Sequence, residues 1–136
     1  MYNDKTMEQY IDLLQKAKNA SLNSYSPYSK FAVGACVLFE SGNIYTGCNV
    51  ENSSYGLSLC AERNAISTAV ANGEKNGIRA IAIYSPNTVK CYPCGACRQW
   101  IYELKSANGV DIILEDKNSQ IITYTIDELL PNGFSL

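Results

Sequence analysis

The sequence predicts an α/β protein, a three-layer α/β/α sandwich with a central five-stranded mixed sheet. Apolar residues recur at helical spacing in four segments and fill short, nearly continuous runs in five others. These segments follow the order α-β-β-α-β-α-β-β-α, with no repeat, linker or low-complexity tract between them. Alternation of helix and strand in the middle of the chain implies parallel pairing through right-handed crossovers, with helices covering the sheet.

The first helix is predicted to open at Thr6, because Thr6 and Gln9 have the spacing of a capping box. Apolar residues then recur at helical spacing until the segment around Pro27 breaks the helix. An almost unbroken apolar run predicts a strand over 31–39, and a polar turn leads into a second strand over 44–50.

The second half of the chain continues the alternation with three strands and three helices. Glycines, asparagines and prolines supply the stops between these elements. The helices are predicted over 61–72, over 94–107 and from Thr125 to a stop at Pro131, and the strands over 78–84, 110–115 and 120–125.

Length and composition limit what the protein can be. A chain of 136 residues, 46% hydrophobic and 18% charged, is expected to form one domain over 1–136 and not a disordered chain. No apolar run approaches the roughly 18 residues of a membrane helix. The first residues are polar and unlike a secretory signal, so we expect a cytoplasmic protein with no membrane partner. A net charge of -2 offers no basic surface to polynucleotide phosphates, so no polynucleotide partner is expected.

The absence of histidine restricts the chemistry. The chain contains none, which excludes Ser-His-Asp triads, Cys-His pairs and HExxH metal sites. Without a secretory signal, cysteines are more often metal-binding or catalytic than disulfide-bonded. The six cysteines are Cys36, Cys48, Cys60, Cys91, Cys94 and Cys97.

Three of these cysteines lie at predicted helix starts. Cys94 and Cys97 are one helical turn apart, and Cys60 opens the preceding helix. Helix N-termini favour thiolates, and three thiolates on zinc leave a fourth tetrahedral position for water, as in a catalytic site. A redox dithiol is the weaker interpretation of the C-x2-C pair. Spacing alone leaves open a closed structural site, whose fourth ligand would be Cys91, Cys48 or Cys36.

Glu62 favours the catalytic interpretation. It stands two residues after Cys60, in the first turn of the same predicted helix. A carboxylate beside metal-bound water can accept its proton and return it to a substrate nitrogen. An acid in a first helical turn also stabilises the helix dipole, but beside three cysteines the catalytic role is the stronger prediction.

Five sequence blocks carry a family resemblance. They read SPYSKF at 26–31, GCNVEN at 47–52, CAERNA at 60–65, PCGACRQ at 93–99 and LLPNGF at 129–134. Together they resemble the small homotetrameric, zinc-dependent cytidine deaminases of the three-cysteine type. The resemblance implies the deaminase sandwich fold and hydrolytic deamination of cytidine and deoxycytidine to uridine and deoxyuridine plus ammonia, a reaction of pyrimidine salvage.

The resemblance also implies roles for the residues of the metal motif. Cys60, Cys94 and Cys97 match the ligands of one zinc ion per chain. Zinc-bound hydroxide attacks C4 of the base, with Glu62 as the proton shuttle. Arg63 matches a residue that hydrogen-bonds ligand sulfurs and draws off the negative charge of the three thiolates.

Substrate contacts follow from the same resemblance. Asn49 and Glu51 match residues that bind the ribose 3′-hydroxyl, and the backbone N–H of Ala61 would lie near the base carbonyl. Phe31 and, from a neighbouring subunit, Phe134 match aromatics around the pyrimidine. The expected substrate is therefore a small nucleoside, bound by a homotetramer whose active sites are shared between subunits.

Other interpretations of the motifs stay open. A related zinc deaminase of another base or of an antibiotic nucleoside would keep the metal motif, but would be expected to lose the Asn49 and Glu51 pair or the Phe134 block. A zinc module without enzymatic activity is the second alternative. A polynucleotide editor is disfavoured by the acidic charge balance. No role is predicted for Cys91 or Arg98.

Overall fold

One mixed sheet of five strands forms the middle of the structure, a computed structural model that describes residues 2–75 and 77–136. The strands are β1 (Gly34–Phe39), β2 (Ile44–Cys48), β3 (Ile78–Tyr84), β4 (Asp111–Glu115) and β5 (Ile121–Thr125), arranged in the order β2-β1-β3-β4-β5. Only the β3–β4 pair is parallel among these strands; the other three pairs are antiparallel. This arrangement confirms the five-stranded mixed sheet that the sequence predicts.

Helices cover both faces of the sheet. They are α1 (Asp4–Ser21), α2 (Ala61–Ala71), α3 (Gly95–Glu103) and α4 (Ile126–Leu129), with a 3-10 turn at Tyr55–Leu57. Helix α1 packs on one face, whereas α2, α3 and α4 contribute to the core on the other. The three-layer sandwich is therefore as predicted. None of the described helices is long and apolar enough to cross a bilayer.

Strand β1 explains why the sandwich forms. All six of its residues are buried. Ala35, Val37 and Phe39 face the core under α2 and α3, while Cys36 and Leu38 face α1. A strand that is apolar on both faces needs a helix layer on each side, since burying one large apolar side chain contributes about 1.5–3 kcal/mol.

The first helix begins earlier than predicted. Asn3, not Thr6, is its N-cap: the Asn3 side chain accepts a hydrogen bond of 2.8 Å from the Thr6 backbone N–H. The capping box predicted at Thr6 is therefore wrong. At α4 the Thr125 and Glu128 side chains do form a capping box, at the position predicted for the start of that helix.

Long-range contacts shorten three other predicted elements. Strand β1 begins only at Gly34, because the Asn49 side chain donates to the Phe31 carbonyl and accepts from the Val33 N–H. The same side-chain contacts of Asn49 end β2 at Cys48, two residues before the predicted end at residue 50. Helix α3 ends at Glu103 instead of 107, because the chain beyond it pairs with the start of β3: the Ser106 N–H donates to the Ile78 carbonyl.

Two glycines let helices touch strands by their backbones. A Cβ added at Gly47 of β2 would lie 2.4 Å from the backbone nitrogen of Ala65 and 2.7 Å from the carbonyl oxygen of Ala61, both in α2. A Cβ at Gly34 would lie 2.0 Å from the Ala17 carbonyl oxygen in α1. The start of α2, where Cys60 and the motif after it lie, is thereby fixed against the sheet.

Candidate active site

Three cysteine sulfurs converge where α2 and α3 begin. Cys60 is the N-cap residue of α2, Cys94 is the N-cap residue of α3, and Cys97 lies one turn into α3. The Sγ atoms of Cys60 and Cys94 are 3.7 Å apart, those of Cys94 and Cys97 are 3.5 Å apart, and all three lie within 4.8 Å of one another. The structure therefore brings together the three cysteines that the sequence singled out.

The sulfur spacing fits one tetrahedral metal ion. Thiolates bound to zinc at about 2.3 Å in tetrahedral geometry are about 3.8 Å from one another. The two sulfur–sulfur distances of 3.7 Å and 3.5 Å are close to that value. Three soft sulfur donors without an oxygen or histidine ligand are a set that zinc accepts readily, and they leave its fourth position open.

Positive charge surrounds the cysteine cluster. The N-termini of α2 and α3 point their partial positive charge at the sulfurs, and an Arg63 Nη2 donates to Cys60 Sγ at 3.5 Å. The pKa of Cys60 falls to about 5, because the Cys97 thiol and the Arg63 guanidinium both donate to its thiolate. The pKa of Cys97 rises for the converse reason, since its S–H is the donor to that thiolate.

Arg63 has a further unused donor. Its Nε is buried and has no hydrogen-bond partner among the described residues 2–75 and 77–136. A buried guanidinium N–H without a hydrogen-bond partner is costly. The negative charge of deprotonated thiolates in the neighbouring cluster would offset that cost.

The remaining cysteines lie apart from this cluster. Cys36 faces α1 on the opposite side of the sheet, and the Cys48 thiol donates to the Asn23 carbonyl. Cys91 lies nearest, where burial and then the neighbouring Glu62 carboxylate raise its pKa to about 12. Within the described part of the chain, the group of thiols close enough to share one ion contains only the three converging cysteines. This geometry does not support a closed site with a fourth cysteine ligand.

Glu62 lies next to the cysteine cluster and is nearly inaccessible. Only 4% of the residue is exposed. Burial raises the pKa of its carboxyl to about 7. A carboxyl that titrates near neutrality can both accept and donate a proton, which is what a general acid–base residue requires.

A cavity of about 280 Å³ opens over the cysteines and Glu62. This volume approaches that of small-molecule pockets. Most of the residues predicted to contact substrate lie around it. The lining residues are Phe31, Val33, Asn49, Glu51, Ser58, Leu59, Cys60, Ala61, Glu62, Cys91, Tyr92 and Cys94.

Asn49 also organises the wall of this cavity. Its Oδ1 accepts from the Ser24 hydroxyl and the Val33 N–H, and its Nδ2 donates to the Phe31 carbonyl at 2.8 Å. Within the part of the chain that the structure describes, the second Nδ2 hydrogen has no acceptor and is available to a ligand. Asn49 therefore holds the backbone of Phe31, another residue predicted to contact the substrate.

Glu51 is held in a similar way by the loop before β1. Its carboxylate accepts from the Ser29 hydroxyl and from the backbone N–H groups of Tyr28 and Ser29. These hydrogen bonds, that of the Ser29 hydroxyl first, lower the pKa of Glu51. Ser29 belongs to the block at 26–31, but no sequence pattern pointed to its contact with Glu51.

Among the residues predicted to contact substrate, Phe134 is the one that does not line the cavity. It is 68% exposed near the end of the chain, and its carbonyl oxygen accepts from the Gln99 side chain at 2.9 Å. The sequence also missed a lining residue, Tyr92, whose hydroxyl pairs with that of Tyr124 at 2.8 Å. Its position directly before the PCGACRQ block was the available signal.

Comparison with known proteins places this geometry in a family. The model of the cytidine and deoxycytidylate deaminase zinc-binding region matches residues 7–111. The chain is 43% identical over 124 residues to a cytidine deaminase of Sporosarcina psychrophila, an alignment that covers 90% of this chain and 89% of that protein. It is 40% identical over 123 residues to the cytidine deaminase of Halalkalibacterium halodurans, covering 90% and 92% respectively.

Solved structures agree with this similarity. The crystal structure of cytidine deaminase from Burkholderia pseudomallei superposes with a TM-score of 0.83 at 38% identity, covering 91% of this chain and 98% of that one. That of Mycobacterium tuberculosis superposes with a TM-score of 0.79 at 35% identity, covering 99% of this chain and 100% of that one.

Proposed function

The chain belongs to the cytidine and deoxycytidylate deaminase family of zinc-dependent hydrolases, and from this premise we propose that it deaminates cytidine and deoxycytidine to uridine and deoxyuridine. The observation that carries the proposal is the buried Glu62 carboxyl beside three converging cysteine sulfurs in one cavity. The products are uracil nucleosides that pyrimidine salvage can use.

The three cysteines would hold one zinc ion per chain. Cys60, Cys94 and Cys97 supply the thiolates, and the Arg63 guanidinium and two helix N-termini offset the excess negative charge that three thiolates bring. When bound, zinc supplies a Lewis acid that lowers the pKa of a coordinated water.

Glu62 would move the protons of the reaction. It accepts a proton from the attacking water and delivers it to N3 of the base while the C4–O bond forms. It then passes the second water proton to the exocyclic amino group, so that the C4–N bond breaks and ammonia leaves. Cytidine and water thus give uridine and ammonia with no other reactant. Burial of the carboxyl keeps bulk water from competing for these transfers.

The rest of the cavity would select a nucleoside. Phe31 offers an aromatic surface to the pyrimidine, and the Ala61 N–H lies at the start of α2, where a base carbonyl can accept from it. Asn49 and Glu51 would bind the ribose 3′-hydroxyl. A free base has no ribose hydroxyl and would forgo both of these contacts, so the site is expected to bind a nucleoside in preference to a free base.

Turnover of cytidine is the direct test of the proposed function. We expect zinc-replete protein to release ammonia from cytidine and to contain about one zinc per chain, the content of a single three-thiolate site. Zinc without any deamination would support a structural zinc module. Activity confined to another base or to an antibiotic nucleoside would support a related deaminase instead.

We expect Glu51→Ala to lower kcat/KM on cytidine by more than about tenfold. The carboxylate would accept a charge-assisted hydrogen bond from the 3′-hydroxyl, and the alanine side chain cannot replace it. Steady-state kinetics with cytidine and with 3′-deoxycytidine measure the contact. The analogue should be a poor substrate of the parent protein and should lose little more in the variant.

The matched control for this experiment is Glu8→Ala, which removes an exposed carboxylate of α1. It should leave both substrates unaffected. If Glu51→Ala costs as much with 3′-deoxycytidine as with cytidine, the effect comes from the loop held by Ser29 and not from the ribose.

A homotetramer with shared active sites accounts for the position of Phe134. The ring is exposed and lies outside the cavity of its own chain. In an assembly it would close the pyrimidine pocket of a neighbouring subunit, where an aromatic contact contributes about 0.5–1.5 kcal/mol beyond burial.

Mixed oligomers test the shared site. Phe134→Ala alone should raise KM, and Glu62→Gln alone should be inactive. After co-refolding, some sites should combine an intact Glu62 with a Phe134 from the other variant, so KM should move toward that of the parent protein. Leu136→Ala, a change at another exposed apolar residue of the same tail, is the control and should leave KM unchanged. A mixture that only averages its parents, or an active monomer in sedimentation, contradicts the shared site.

A further inference from the structure

Arg98 connects two segments that are distant in sequence. It follows the cluster residue Cys97 in α3 and is partly buried. Its Nε donates to the Pro93 carbonyl at 2.8 Å, and its Nη1 donates to the Leu129 carbonyl at 2.7 Å. Pro93 directly precedes Cys94, and Leu129 is the last residue of α4.

The neighbouring side chains of α3 hold the far end of the same tail. Gln99 donates to the Phe134 carbonyl at 2.9 Å. A Cβ added at Gly133 would lie 2.9 Å from the Tyr102 ring, so the tail backbone rests directly on that ring. Residues 129–134 are therefore fixed to α3 at both ends.

The chemistry of the side chain suits a bridge. A guanidinium carries its N–H groups in a fixed plane, so two carbonyls bound to it keep a fixed separation. Hydrogen bonds from a charged donor are also about twice as strong as neutral ones. An ammonium carries its three N–H donors on one nitrogen at the end of a flexible stem, so it does not hold two carbonyls at a fixed separation.

We propose that Arg98 is a positioning residue that ties the loop carrying Cys94 to the C-terminal segment carrying Phe134. One side chain then fixes the position of the loop that carries Cys94 and the position of the tail that would close the pyrimidine pocket of a neighbouring subunit. The roles of these two segments rest on the proposed function, whereas the bridge itself rests on the two hydrogen bonds.

Two readouts that do not use turnover test the bridge in the zinc-loaded protein. The first is the rate at which a chelator removes zinc. The second is hydrogen exchange of the Leu130 amide, which donates to the Ile126 carbonyl at 2.8 Å. Arg98→Met, which keeps an apolar stem but no donor, should speed both by about tenfold, the effect of losing a charge-assisted hydrogen bond.

Two variants distinguish a bridging role of Arg98 from an effect of its charge alone or of a local contact alone. Arg98→Lys keeps the charge but should still speed at least one of the two processes about tenfold. Gln99→Met, the matched control, removes a donor to the tail alone, so it should speed Leu130 exchange and leave zinc release unchanged. If Arg98→Met fails to fold, Arg98→Lys still decides.

A catalytic readout follows from the same connection. Arg98→Lys should raise KM for cytidine about fivefold, and the increase should largely vanish in a Phe134→Ala background, because both changes act through one tail. The proposal is overturned if Arg98→Lys matches the parent protein in both zinc release and Leu130 exchange. It is equally overturned if Arg98→Met alters only one of them. Because neither readout needs deamination, a chain inactive on cytidine would refute the proposed function and leave this test in force.

Discussion

A Glu62→Gln protein is expected to keep its fold and its zinc while kcat on cytidine falls by about three orders of magnitude or more. General acid–base catalysis contributes about 10²–10⁴-fold for a single proton transfer, and Glu62 would take part in more than one. The amide has nearly the same shape as the carboxyl, so the packing of a residue that is only 4% exposed should survive.

The measurement for this variant combines three quantities. Ammonia release gives kcat, metal analysis gives the zinc content, and thermal unfolding reports the fold. Glu128→Gln, a change in the exposed first turn of α4, is a control for loss of a helix-terminal carboxylate and should be active. Near-normal turnover by a zinc-replete Glu62→Gln protein would falsify the proton-shuttle assignment.

Cys94→Ala is expected to abolish stable zinc binding, and with it activity. The substitution leaves two thiolates at a site built for three, and metal affinity depends steeply on the number of deprotonated ligands. Zinc content after dialysis against a chelator should fall from about one per chain to nearly zero. Cys60→Ala and Cys97→Ala should behave in the same way.

The three other cysteines serve as controls for this experiment. Cys36→Ser, Cys48→Ser and Cys91→Ser should each retain about one zinc per chain. Cys91 is the most informative of these, because it lines the cavity beside the cluster. A Cys91→Ser protein that loses its metal would restore the closed four-cysteine site.

Much of the fold was predictable because its signals are local. The unbroken apolar run of β1 required a layer of helices on each face, and both layers are present. Cysteines at two helix starts were enough to predict that three sulfurs meet, because a helix N-terminus fixes where its first side chains point. The capping box of α4 is equally local.

Apart from the N-cap of α1, what the sequence analysis missed depends on contacts between distant segments. No periodicity shows that the Asn49 side chain takes the backbone groups of Phe31 and Val33, so the predicted strand began too early. The pairing of Ser106 with Ile78 likewise ended α3 sooner than its helical pattern suggested. The hydrogen bond from Arg98 to Leu129 joins residues 31 positions apart and had no sequence signal beyond the motif block itself.

The backbone contacts at Gly34 and Gly47 also limit how descendants of this protein can diverge. The β1–β2 hairpin lies between α1 and α2 with no side chain as a spacer at either glycine, so even one added methyl group would require a helix to shift. Selection is therefore expected to retain glycine at both positions in any lineage that keeps the cysteine cluster. The segment 86–89, which leads to the cavity residue Cys91, is exposed and contains no glycine. New substrate preferences are expected to accumulate from drift in loops of that kind and not from movement of α2.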